Sequence, residues 1–253
     1  MSVKANVMVG SLALGCVISP MSLGDHHMEM QFVPAHINVC SFRDGKDWGD
    51  LDKLNKEFAE FVGDEGSDYS YWILTPRFRE DNEMHFAWLG SWNTAAGFGA
   101  GFDNWAANAG KLEQMFADTA DCGSNMMAIT PIAADPENGP TDGVVWFSRC
   151  TLEDDKGLGD AVAAHAKGSA AMMEMGVQAQ SWAFLPVLGF GDAEYDYYHV
   201  ATFDSYAGLG AGFDANFNKG GWKARAEPME GVASCASPNL YDFRIKMQGQ
   251  QPE

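Results

Sequence analysis

The chain has 253 residues, 46% hydrophobic and 12% aromatic, enough to bury one large core or two small ones and to exclude disorder over its bulk. Its 35 acidic against 16 basic residues give a formal net charge of −19. That balance excludes an electrostatic footprint for nucleic acid or an anionic membrane surface, and reads as solvation, suited also to a salty external medium.

Residues 1–24 read as a signal peptide: Lys4 supplies a short positive start, and ANVMVGSLALGCVI (5–18) is an apolar run too short to span a membrane. Ser22 and Gly24 place small residues at −3 and −1 for cleavage before Asp25, giving a periplasmic or secreted protein with no membrane span. The alternative is lipidation at Cys16 within ALGC, although Ala13 stands where Leu is usual. Cleavage before Asp25 would leave a free amine, two backbone amides and His27 as a square-planar copper or nickel site.

The first unit, 25–133, then reads as strand 35–42, amphipathic helix 48–64, strand 69–76, strand 83–92, helix 93–118 and strand 125–133. A linker at 134–142, rich in Pro, Gly and acid, leads to a second unit, 143–253. It repeats the order: strand 143–150, helix 158–175, strand 180–188, strand 195–203, helix 205–230, strand 238–247. Sequence marks keep the register. GFGAGFD (97–103) returns as GLGAGFD (208–214), YWILTP (71–76) lies on SWAFLP (181–186), and Trp72 falls on Trp182. The four cysteines left after export, Cys40, Cys122, Cys150 and Cys235, allow three connectivities. One near the start and one near the end of each repeat predicts Cys40–Cys122 and Cys150–Cys235 in an oxidising compartment.

Twice βαββαβ is the ferredoxin-like order, an antiparallel sheet with both helices on one face. The repeated glycines do not make a dinucleotide loop, because G-x-G-x-G here follows an antiparallel strand and has no Lys-Ser or Lys-Thr partner. Gly97 and Gly101, like Gly208 and Gly212, share a helix face and admit a close neighbour, either backbone or ligand. Alternation along HFAWLGSW puts Phe86, Trp88, Gly90 and Trp92 on the helix-covered face. Trp72, Trp88 and Trp92, with Trp182, Phe203 and Tyr206 in the second unit, are candidates for lining an apolar pocket as well as for core. Asp103 and Asp214, which end the motif, read as structural, and MMEM (172–175) as core filler.

The element order resembles that of the dimeric α+β barrel superfamily over most of residues 32–247, and exported bacterial proteins with two such units. That resemblance implies an α+β fold of two tandem ferredoxin-like units closing a pseudo-dimeric barrel, with a pocket between each sheet and its helices. Similar proteins include cofactor-independent monooxygenases, haem-degrading enzymes and chlorite dismutase relatives. His199, which aligns with Trp88 and faces the presumptive second pocket, is the first candidate for a general base or haem ligand, and His85 the second. His165 reads as exposed on its helix. The leading expectation is an exported protein binding a small apolar or aromatic ligand. A cofactor-independent monooxygenase or haem-dependent oxidoreductase is the competing class, and a self-associating structural or assembly protein the third.

Overall fold

The computed structural model describes residues 30–63, 67–79, 83–135 and 139–250. The expected signal segment, its cleavage site, Cys16 and the His27 metal site lie outside the described residues. The first half runs β1 (Val33–Phe42), α1 (Trp48–Val62), β2 (Tyr69–Phe78), β3 (Phe86–Trp92), α2 (Ala95–Asn108), α3 (Gly110–Thr119) and β4 (Ala120–Ala133). The second runs β5 (Asp142–Leu152), α4 (Leu158–Glu174), β6 (Gln180–Leu188), β7 (Tyr197–Phe203), α5 (Tyr206–Asn218), α6 (Gly221–Ala226), a 3₁₀ turn (Glu227–Met229), β8 (Ala233–Cys235) and β9 (Asn239–Met247).

The strands pair in the order β7-β6-β4-β1-β3-β2-β9-β5-β8, and a further β7–β5 pairing closes the first eight of these into a ring. Every pairing is antiparallel. The halves join twice, through β2–β9 and β4–β6. Arg77 on β2 donates to Asp242 on β9, which also accepts from the Tyr206 hydroxyl at 2.6 Å.

Period-two alternation sorts each strand between two cores. Ala35, Leu74, Ala87, Leu89, Met127 and Phe243 fill the ring, while Tyr71, Phe86, Trp88 and Trp92 face outward beneath the helices with Leu51, Leu54 and Phe58 of α1. Asp47 starts α1 by accepting from the Gly49 amide at 2.8 Å, and the apolar stripe at helical spacing then pins it to the sheet. Leu51 and Leu54 are each 1% exposed, and burying each stabilises by about 2 kcal/mol.

The two long helices expected after the glycine motifs are each divided. The first breaks at Ala109 and Gly110; the second breaks where Gly220 adopts φ +83°, a left-handed turn that seats the short α6. A short strand, β8, follows α6 and sets Cys235 opposite Cys150 on β5, as β4 sets Cys122 opposite Cys40 on β1. Both disulfides form, Cys40–Cys122 and Cys150–Cys235, with Cα atoms 4.1 Å apart in each. No helix among the described residues is long and apolar enough to cross a membrane.

Candidate functional site

In the first half, helix α2 stands away from the sheet: none of its residues is buried, although its sequence is rich in aromatics. Its start is held by Thr94, whose hydroxyl accepts from the Gly97 amide at 2.9 Å, and by Asp68, which accepts from the Thr94 amide and hydroxyl at 3.1 and 2.8 Å. The glycines let those anchors sit close. A Cβ on Gly97 would fall 2.2 Å from the Asp68 carboxylate, and one on Gly101 3.0 Å from Trp92 Nε1. Held by its ends, α2 roofs an open cleft of about 1250 Å³ between β1, β3 and β4 below and α2 and α3 above. Trp92, Phe98, Phe102, Trp105 and Phe116 form its apolar walls.

At the floor three polar side chains form a chain. Trp88 Nε1 donates to the Tyr69 oxygen at 2.9 Å, and the same hydroxyl lies 2.8 Å from His36 Nε2. Burial raises the Tyr69 pKa far above its ordinary value, so the phenol keeps its proton. His36 Nε2 is the acceptor within its reach, in the imidazole tautomer that carries the ring proton on Nδ1. His36 is itself lowered to about 4 by burial, against a smaller opposing contribution from its hydrogen bond with Asn38, so the imidazole is neutral at pH 7. Gly90 makes the meeting possible. It pairs with His36 on one side and Tyr71 on the other, and a Cβ there would lie 2.1 Å from the Tyr69 oxygen and 2.3 Å from His36 Nε2. Beneath, the Tyr71 ring stacks on Trp88 at 4.1 Å and 3°. The result is an aromatic slot with a neutral floor, its rim carrying Arg43 and Asp121, 3.7 Å apart, with Asp68 and Glu113 also at its edge.

The second half is packed differently. Where α1 offers Leu51, Leu54 and Phe58, α4 offers Ala161, Ala164 and Gly168, so α6 closes on it: a Cβ at Gly168 would lie 3.4 Å from Arg225 Cα. His199 and His165 stack there at 4.0 Å and 6°, and His165 Nε2 lies 2.9 Å from the Tyr197 hydroxyl. Burial lowers both imidazoles, His165 to about 4 and His199 also well below its usual value.

Of the residues singled out from sequence, Trp88 and Trp92 meet at the open cleft. Trp72 and Trp182 lie instead against the interior of the ring, with Trp72 Nε1 donating to the Pro140 carbonyl at 2.8 Å. Their alternation explains it: Trp72 falls between Tyr71 and Ile73, which face the helices. Phe203 is core beneath α5, and Tyr206 is exposed with its hydroxyl on Asp242. His85 is exposed at the end of β3, its Nδ1 accepting from the Phe42 amide at 3.0 Å. His165 is half-buried rather than exposed, because small residues on α4 bring it down onto β7. Asp214 serves its own helix end through Asn218 and Lys219. Sequence reasoning passed over His36 and Tyr69. The usable signal was period two: His36 lies four before Cys40 and Tyr69 two before Tyr71, on the face shared with Trp88.

No protein-family model matches the chain, and no curated protein matches it in sequence. Solved structures match its shape. A proposed chlorite dismutase superposes with a TM-score of 0.54 at 10% identity, covering 85% of this chain and 95% of the other. A proposed monooxygenase from Lactobacillus acidophilus gives 0.53 at 9% identity, covering 87% and 96%. A haem-binding protein from Thermus thermophilus gives 0.52 at 10%, covering 85% and 93%.

The fold is a mixed α+β one whose antiparallel strands close into an eight-stranded barrel, the shape these solved structures share. One protein of this shape is a haem-binding protein, but the histidines among the described residues do not fit that group. His36 Nε2 is taken by Tyr69, His165 Nε2 by Tyr197 and His85 Nδ1 by a backbone amide, while His199 Nε2 has no exposed surface and its ring is covered by His165. None presents a free nitrogen to an iron in the open cleft.

Proposed function

We propose that the chain is an exported, disulfide-stapled barrel of two tandem ferredoxin-like units, whose first unit binds a flat apolar or aromatic small molecule between its sheet and α2–α3. The observation that carries this is the aromatic cleft of about 1250 Å³, ample for a ligand of two or three fused rings. Ring faces of Trp92, Phe102 and Trp105 supply stacking and edge contacts, each worth about 0.5–1.5 kcal/mol beyond buried area. Asn38 offers a hydrogen-bonding end to a ligand hydroxyl or carbonyl. Tryptophan fluorescence titrated with 2-naphthol tests it. Saturable quenching is expected, weakened roughly fivefold by Trp105→Ala and abolished by Ser124→Trp, which would fill the cleft from its open floor. Non-saturable quenching, or identical binding by the Ser124→Trp variant, would refute the reading.

A second reading, a cofactor-independent monooxygenase, draws on one specific observation: a neutral imidazole, His36, lines the cleft beside a buried phenol. The similar shape of a proposed monooxygenase agrees with it. In this reading the proton acceptor is His36 rather than His199 or His85. His36 takes a substrate proton only where the Tyr69 hydroxyl gives up Nε2 to it, and a neutral base of lowered pKa holds that proton only transiently. Oxygen uptake with dihydroxyaromatic substrates, lost in His36→Phe, is the expected result; uptake unchanged in that variant would remove the reading.

A further inference from the structure

The second half holds a cluster of nitrogen donors with no acceptor. Trp146 Nε1 and His199 Nε2 are both without exposed surface and without a hydrogen-bond partner. They share the outer face of the sheet as diagonal neighbours, since Ser148 pairs with His199 and Trp146 with Ala201. Over them lies Arg225, its guanidinium carbon 5.8 Å from the centre of the Trp146 ring. Arg225 makes one hydrogen bond, from Nη1 to Asn216 Oδ1 at 3.3 Å, and pairs with no carboxylate among the described residues. Its positive charge reaches both His165 and His199. Indole and guanidinium nitrogens only donate, and a neutral imidazole donates from the nitrogen that carries its proton.

We propose that this cluster binds a small monoanion, a halide or the carboxylate of a small acid, between Trp146, His199 and Arg225. A water molecule answers the same donors poorly, because it must direct its own two hydrogens at groups that accept nothing. A monoanion accepts from the indole, the imidazole Nε2–H and the guanidinium together, and neutralises a charge that no carboxylate among the described residues pairs. Arg225 is exposed, and Trp146 and His199 are half-buried with their Nε1 and Nε2 atoms turned away from solvent, so an anion reaches them past the Arg225 side chain. The stacked His165 ring stays neutral and keeps Tyr197 as its partner, so it supplies a wall rather than a competing charge. This site is independent of the aromatic cleft in the first half.

The test is the indole N–H signal of Trp146 by nuclear magnetic resonance, titrated with sodium bromide or sodium formate at an ionic strength held constant with sodium sulfate, a dianion. A saturable shift in either arm is expected, and which arm saturates separates a halide site from a carboxylate site. Arg225→Gln and His199→Phe should each weaken it roughly tenfold or more, the loss of one charge-assisted or buried hydrogen bond. Arg225→Gln changes a partly exposed side chain, and an otherwise unchanged spectrum verifies its fold. A linear, non-saturating shift in both arms, which is the result for water alone, or equal saturation in Arg225→Gln, would overturn the proposal.

Discussion

Gly90→Ala places a methyl group where the structure has none to spare. Its Cβ would stand 2.1 Å from the Tyr69 oxygen, 2.3 Å from His36 Nε2 and 2.5 Å from the Tyr69 ring. Tyr69 has no room to retreat, because it is 4% exposed and packs against Trp92 at 4.6 Å, with Trp88, below, 1% exposed, whereas His36 faces the cleft. Parting Tyr69 from its neighbours leaves the buried Trp88 N–H unpaired, at about 1–3 kcal/mol. Overpacking adds about 1–3 kcal/mol, and the lower entropy of an unfolded alanine returns about 0.4–1 kcal/mol. The net loss is about 2–4 kcal/mol, read as a drop in the midpoint of urea unfolding followed by tryptophan fluorescence. Gly99→Ala is the control: a Cβ there meets nothing within 4 Å on an outlying helix, so it should be neutral or stabilising by up to about 1 kcal/mol. A Gly90→Ala protein within about 0.5 kcal/mol of the parent, a surface-like effect, would refute the reasoning.

Tyr69→Phe removes the hydroxyl shared by His36 and Trp88 and should cost about 2–3 kcal/mol in the same assay, against about 1 kcal/mol for Tyr195→Phe, which loses one half-buried bond to Tyr198. Replacing Cys40 and Cys122, or Cys150 and Cys235, by serine opens a loop of 82 or 85 residues and should cost about 4–5 kcal/mol per pair on chain entropy, checked by unfolding with and without reductant. His36, His165 and His199 are all lowered by burial, the first two to about 4. The unfolded chain therefore binds more protons between about pH 6.5 and 4, so stability should be level above about pH 7 and fall through that window. Urea midpoints at about pH 7.5, 5.5 and 4.5 check it, and an unchanged midpoint at the lowest of these would contradict it.

Much of the barrel was written in spacing. Alternation along β3 placed Phe86, Trp88, Gly90 and Trp92 on the covered face, and one cysteine at each end of a repeat predicted both disulfides. The repeated glycines act where helix α2 or α5 meets the sheet, against Asp68 and Trp92 in one half and Phe203 in the other. What the repeat concealed was asymmetry. Leu51, Leu54 and Phe58 against Ala161, Ala164 and Gly168 decide which helix closes on the sheet, yet both sets read as an apolar stripe. That difference opens the first cleft and fills the interface around His199, which is why the histidine favoured from the alignment proved enclosed. His36 and Tyr69 meet only across three strands, over the space that Gly90 leaves, and no local pattern announces a contact of that kind.

The most direct test of the central claim is a crystal structure of the protein soaked with 2-naphthol. The account predicts the ligand between β1–β3 and α2, its ring against Trp92, Phe102 and Trp105 and its hydroxyl toward Asn38. A structure in which α2 has settled onto the sheet, with Phe98, Phe102 and Trp105 filling the cleft and no ligand between them, would contradict it.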